Sequence, residues 1–364
     1  MGKYIIASLP LQMLLSWQLW WPYGRTFPTL PLVEFLGVVP DAVSWVLSTI
    51  LFFSCLLYAM GRWTARVFLP VVLLVVAVLC ILDLNRLQVW IWMWYCLWIV
   101  EWLDLSHNKA SRFQCWVIAG IYVWSGFNKL TPWFSVNFDW FCEVFQWTKP
   151  LSGNTVLCYS TGIFEMLIGV FLLWPTTRTA GKWMATVLHL YILLVLSPLG
   201  HDWNPVVWPW NVAMIGLVWY YFQDKSAVKW PVSPAYSVLA VLVWVMPILN
   251  IWYYWPESMS WKMYANTQRE AVIIAQKSIL STPTRWPWET ASDGQNRLLV
   301  DDWGYRELQV PPFSSRRNFV NAMQYVKEIT GDSTLQMEIL TVERWDDKAK
   351  GTLEVVTTNQ TESK

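Results

Sequence analysis

Nine apolar runs, most of them close to the ~20 residues a helix needs to cross a bilayer, constrain this 364-residue chain more than any other feature. They fall at roughly 4–21, 41–61, 67–84, 88–103, 113–131, 157–175, 180–199, 207–222 and 235–254. In hydrocarbon every backbone N–H and C=O must be satisfied inside its own segment, so each run is expected to be a helix. The expected fold is mainly α, a polytopic helical membrane bundle of about nine spans over residues 1–255. The third and fourth runs are separated only by the turn DLNRLQ, and the eighth is short and begins WPWN, so it is expected to be broken or tilted. Between the first two, RTFPTLPLVEFLGVVPD carries three prolines and reads as a loop. The amino-terminal MGKYIIASLPLQMLLSWQLWW has no small-residue cleavage site and reads as a retained first helix.

Composition changes after Trp255. Residues 256–364 are polar, contain no cysteine and read as a small α+β domain resting on the membrane face. AVIIAQKSIL, TLQMEILTVERW and GTLEVVTT read as strands. SSRRNFVNAMQYVKEITG reads as a helix with a serine N-cap and Gly331 as its stop. Asn359 opens a glycosylation sequon in a chain end expected to fray. Orientation follows from the Lys/Arg count on alternate sides. One side collects Lys3, Arg62, Arg66, Lys109, Arg112, Arg178, Lys182, Lys225 and Lys229, the other Arg25, Arg86, Lys129 and Lys149. That asymmetry puts the N-terminus in the cytoplasm and the tail, after an odd number of spans, outside.

A net charge of +1 with no Lys/Arg block gives no sign of a nucleic-acid partner. The partners expected are the lipid bilayer and, through residues 256–364, an extracytoplasmic protein. Six cysteines without a CxxC pair and three histidines make a structural zinc site improbable, and no metal ligands are assigned. Cys142 and Cys158 flank a long aromatic loop and are able to pair if it faces an oxidising compartment.

Ionisable residues inside spans are costly and are therefore candidates for function. Val117–Leu130, VIAGIYVWSGFNKL, ends in Lys129. A lysine at a helix end ordinarily snorkels to the headgroups. Here Gly120, Ser125 and Gly126 let another helix approach, and TPWFSVNFDWFCEVFQW follows as a roof. A desolvated lysine sheds its proton more readily, which makes Lys129 a candidate base. Trp124 and Asn128 belong to the same stretch and join it as substrate-binding candidates. Glu165 and His189 lie mid-span in consecutive runs joined by PTTRTAG, each twelve residues from Thr177, so a Glu165–His189 pair is expected. A buried histidine is also commonly just a satisfied structural group. His201 and Asn211 in GHDWNPVVWPWN are placed to line a cavity mouth, or simply to sit in an aromatic belt. Asp83 and Arg86, three apart, are expected to form a local ion pair.

Two stretches, YVWSGFNKL and FEMLIGVFLLWPTTRTAGKWMATVLH, resemble the HTTM family, the multi-pass domain that includes vitamin K-dependent gamma-glutamyl carboxylase. The resemblance covers roughly residues 40–225. It implies that Lys129 stands where that enzyme has its catalytic base and that His189 stands at its helix histidine. DDWGYRELQVPPF is similar to the tail of DoxX/MauE-type proteins, bacterial membrane proteins found near thiol-redox and quinone systems. Together the resemblances imply a bacterial inner-membrane protein that binds a quinone or hydroquinone in the outer half of the bundle. Protein carboxylation is not implied, because no large β-rich region is present to hold a protein substrate, and the redox-associated members' cysteine pairs are absent. The alternative is a non-enzymatic membrane scaffold whose tail binds an extracytoplasmic partner.

Overall fold

A computed structural model describes residues 4–107, 112–224, 226–228, 234–265, 269–275, 286–344 and 351–357. It is mainly helical. The first apolar run folds as α1 (Ser8–Leu15) and α2 (Trp17–Trp20), interrupted at Ser16, whose hydroxyl donates to the Gln12 carbonyl at 2.7 Å. Then come α3 (Asp41–Ala59), α4 (Ala65–Leu82), α5 (Val89–His107), α6 (Phe113–Asn128), α7 (Phe134–Glu143), α8 (Thr155–Leu173), α9 (Arg178–Leu196) and α10 (Val207–Tyr221). The last apolar helix, Pro234–Trp252, starts as α11 (Pro234–Ala240), loosens to a π turn at Val241–Val245 and tightens to 3-10 over Met246–Trp252. Pro247 has no N–H to offer the carbonyl a turn earlier, which accounts for the irregular register.

Five of these helices are long and apolar enough to cross a membrane: α3, α4, α8, α9 and Pro234–Trp252. At most a third of each is buried inside the protein. Their outward faces are apolar, as at Phe53, Leu74 and Val187, which are all more than half exposed. Such faces suit hydrocarbon rather than water. Inside, large side chains fill the bundle, and Trp20, Trp94 and Trp98 are fully buried.

Loops gather at two ends. At one, Arg112 and Arg178 bind Asp224 and Arg178 also the Ser226 carbonyl. At the other, Arg25 pairs with Asp83 at 2.7 Å and also binds the Phe27 and Pro28 carbonyls. The expected Asp83–Arg86 pair is therefore replaced by a longer-range one. Arg86, wholly buried, sends Nε to the Leu19 carbonyl and Nη1 to that of Leu79. Both carbonyls lie in last helical turns, where intrahelical donors run out; that of Leu79 also accepts the Asp83 N–H at 3.1 Å.

The tail domain is an antiparallel sheet in the order β2-β3-β1-β4-β5: β1 (Arg269–Ala275), β2 (Trp288–Thr290), β3 (Asn296–Leu299), β4 (Gln336–Val342) and β5 (Gly351–Thr357). In the central β1, Val272 pairs with Leu299 of β3 and Ala271 with Ile339 of β4. Between β3 and β4 lie α12 (Val300–Leu308) and α13 (Arg316–Thr330). As expected, Ser315 caps α13 by accepting from the Asn318 N–H, and Gly331 ends it at φ 65°. The AVIIAQKSIL strand is described only as far as Ala275, and Asn359 and the chain end lie outside the described residues.

This domain is fixed to the Arg25–Asp83 end of the bundle. Glu307 of α12 accepts from the Thr26 and Phe27 N–H groups, and Trp303 packs edge-on against Phe27 at 5.0 Å. Asn85 accepts from the Phe313 N–H, and Gln88 donates to the Pro311 carbonyl, each at 2.9 Å. Arg317 binds the Pro31 and Leu32 carbonyls. Cys142 and Cys158 stand as free buried thiols in a small cluster with Phe134 and Phe138, so the disulfide considered for them is not formed.

Candidate functional site

The polar groups expected inside the spans come together because two helices touch backbone to backbone. A methyl group added at Gly162 would lie 2.8 Å from the Gly126 carbonyl oxygen, and one at Gly169 would lie 2.6 Å from that of Ala119. Only glycine permits this approach of α6 and α8. Gly162, Glu165 and Gly169 share one face of α8 by the i, i+3, i+7 spacing, so the seam carries a carboxylate with it. On α6 the same spacing aligns Tyr122, Ser125 and Lys129.

Lys129 donates to Glu165 Oε2 at 2.6 Å and to Ser125 Oγ at 2.8 Å. Both ionic residues are buried, at 8% and 7% exposure, so the ion pair is shielded from the water that weakens surface pairs. His189 is also buried, but its partners are the Tyr122 hydroxyl at Nε2 and the Asn211 carbonyl oxygen at Nδ1, both at 2.7 Å. Asn211 completes its own valence by donating to the Val207 carbonyl at 2.8 Å. With Asn211 accepting, Nδ1 is the protonated nitrogen and Nε2 receives the tyrosine proton.

The expected Glu165–His189 pair is thus not formed. Equal depth on neighbouring helices does not ensure contact when a third helix supplies closer partners, and α6 supplies them to both. The structure brings Lys129 and Glu165 together, and separately His189 and Asn211. Glu165 remains within electrostatic range of Tyr122 and His189.

Three expected residues lie apart from this network. Trp124 stands edge-on to Phe127 at 5.4 Å. Asn128 points toward the tail, donating to the Ser260 carbonyl at 2.9 Å and accepting from Arg344. His201 stacks on Trp140 at 3.7 Å between ring centres and bonds its carbonyl. Tyr122 and Ser125 were not anticipated as site residues, although their spacing from Lys129 carried the signal. Among the described residues, no group of three His, Cys, Asp or Glu side chains is placed to hold a metal ion.

No protein-family model matches the chain, and no curated protein or solved structure matches it.

Proposed function

We propose that this is a multi-pass inner-membrane protein of HTTM-like type, crossing about nine times, that takes a proton from a bound hydroquinol through the Lys129–Glu165 pair. The N-terminus lies in the cytoplasm and the tail domain outside. The observation that carries this reading is the buried 2.6 Å contact between an amine and a carboxylate. In a low-dielectric site, passing one proton from Lys129 to Glu165 converts an ion pair into two neutral groups and leaves no lone charge. The resulting amine accepts a phenolic proton, giving a quinolate beside an ammonium. That anion is the more reactive reductant towards dioxygen or another acceptor. His189, held by Tyr122 and Asn211, acts as a positioning residue through Tyr122, which lies on the same α6 face as Lys129.

The test is Lys129→Arg. Arginine keeps the ion pair with Glu165 but cannot serve as a base, because guanidinium does not lose its proton in proteins. The variant should fold with an unchanged melting temperature, retain any quinone extracted from the purified protein, and lose hydroquinol oxidation. An arginine variant that oxidises hydroquinol as fast as the native chain removes Lys129 as the base.

One observation favours a second reading, a scaffold that engages an extracytoplasmic protein. Among the described residues β5 is an edge strand, and its Leu353 and Val355, on one face, are about half exposed. Open strand edges accept an added strand. Leu353→Lys should abolish capture of such a partner and leave hydroquinol oxidation intact.

A further inference from the structure

Where the tail domain meets the bundle, the two enclose a cavity of about 540 Å3. Trp90 of α5 and Trp210 of α10 form part of its membrane-side wall, and α12 and the 310–315 segment form part of its tail side. The volume lies within the ~300–1,000 Å3 of small-molecule sites. Lys129, Glu165 and His189 are not among its lining residues.

Buried polar atoms in this wall have no protein partner among the described residues. Asn204 and Asn250, 4% and 2% exposed, each spend the amide nitrogen on a protein acceptor and leave Oδ1 free. Arg269 Nε is likewise unpartnered, its guanidinium lying 5.0 Å from the Tyr253 ring centre. Native interiors rarely leave such groups unmet. The wall is also aromatic: Trp203 and Tyr305 stack at 5.2 Å, beside Tyr253 and Tyr264. Asn204, Tyr253 and Tyr264 hold left-handed backbone at φ 50°, 60° and 54°, a conformation that bulky residues adopt only when surroundings enforce it.

Charge and hydrogen-bond valence select the ligand. Lys262 is matched by Glu257 at 3.0 Å. Arg269 and Asp302 balance in sign, and Asp301 is held toward its neutral form by burial and by the surrounding Glu270, Glu257 and Asp302 carboxylates. A charged ligand would bring an uncompensated ion into this wall. A quinone offers acceptors only and cannot serve the free asparagine oxygens. A hydroxyl both donates and accepts, and so fits these amides whichever way round they are turned. Aromatic faces suit the C–H face of a pyranose ring.

We infer that the junction cavity binds an uncharged, hydroxyl-rich ring, a sugar, presented either as a free saccharide or as the glycosyl headgroup of a membrane lipid. The site stands independently of the Lys129 pair. Its test uses the full chain in phosphatidylcholine nanodiscs, prepared without glycoside detergents. Free methyl glucoside, methyl mannoside and N-acetylglucosamine form one arm. Nanodiscs carrying glucosyl diacylglycerol form the other. Binding is read by native mass spectrometry and saturable thermal stabilisation. A response to the free glycosides supports the saccharide source, and a response only to the glycolipid supports the headgroup. Asn204→Ala and Tyr305→Ala should each weaken binding about tenfold, the loss of roughly one good hydrogen bond or stacking contact. Asn250→Ala serves where either variant fails to fold. The inference is overturned if no probe binds, if these variants bind as the native chain does, or if tetramethylammonium or inorganic phosphate binds as well as the sugars.

Discussion

The glycine seam between α6 and α8 and the cavity beneath the tail domain treat polar groups in opposite ways. In the seam, the charged and hydrogen-bonding side chains find one another: Lys129 with Glu165 and Ser125, His189 with Tyr122 and Asn211. In the cavity wall, two amide oxygens and a guanidinium nitrogen are buried without a partner among the described residues. Burial alone therefore does not identify a binding site. The seam is built to hold its own charges, so any chemistry there must move a proton within an existing pair. The cavity has hydrogen-bonding capacity left over for something else.

Breaking the seam should have the largest effect. Glu165→Ala leaves the Lys129 ammonium buried with no carboxylate, beside Ser125 and the Phe134 ring, a loss on the order of 3–5 kcal/mol. Replacing both members, as Lys129→Met with Glu165→Leu, should recover most of that, because no lone charge remains. Melting of the purified variants checks both. A double variant as unstable as Glu165→Ala would mean that the pair contributes more than charge neutralisation.

The long apolar helices were legible in the sequence because their length admits little else, and α13 because a serine and a glycine mark its two ends; α7 was not, its short aromatic stretch reading as a loop where Phe134–Glu143 is helical. The α12 helix was not legible: DDWGYRELQ has too short an apolar pattern to separate it from loop, and it folds against β1 and β3 after Val300. β2 and β3 are three and four residues long, below the length at which alternation can be read. Lys129 and Glu165 stood out individually as ions in apolar runs. Their pairing did not, because depth along each helix can be counted from a sequence while the identity of the facing helix cannot. The cavity was invisible for the same reason: Asn204, Asn250 and Asp301 sit on three segments up to 97 positions apart, and only docking of the tail brings them to one wall.

A milder effect should appear at the cavity as pH is varied. Asp301 is partly exposed as a residue, but its Oδ2 is sealed without a protein partner. Burial first, then Glu270, Glu257 and Asp302, push its carboxyl well above the ordinary range. Lys262 and Arg269 are the cations on the same wall. A carboxyl whose folded pKa is raised binds its proton more tightly in the folded state. Its contribution to stability is complete below the unfolded value of about 4 and is lost as pH rises through the folded value. The native chain should therefore melt at falling temperature as pH increases across that window, and Asp301→Asn should flatten the slope. Glu270, raised by burial and by Asp302, leaves a residual slope of the same sign. A variant that keeps the whole slope would place the titration elsewhere.

The smallest effect sharpens the picture of the seam. His189 touches Tyr122 and Asn211 but not Glu165, so energetic coupling should follow the hydrogen bonds rather than depth in the membrane. In a double-mutant cycle, His189→Ala and Asn211→Ala should cost less together than the sum of the single losses. The difference should be about 0.6 kcal/mol, up to ~1.7, as for side-chain hydrogen bonds between membrane helices. The same cycle for His189→Ala and Glu165→Gln should be nearer additive, since these two act on one another only through space and through Tyr122. Coupling between His189 and Glu165 as large as that between His189 and Asn211 would mean that the two networks move as one. Lys129, Glu165, Tyr122 and His189 would then form a single proton path across α6, and the histidine would be more than a support.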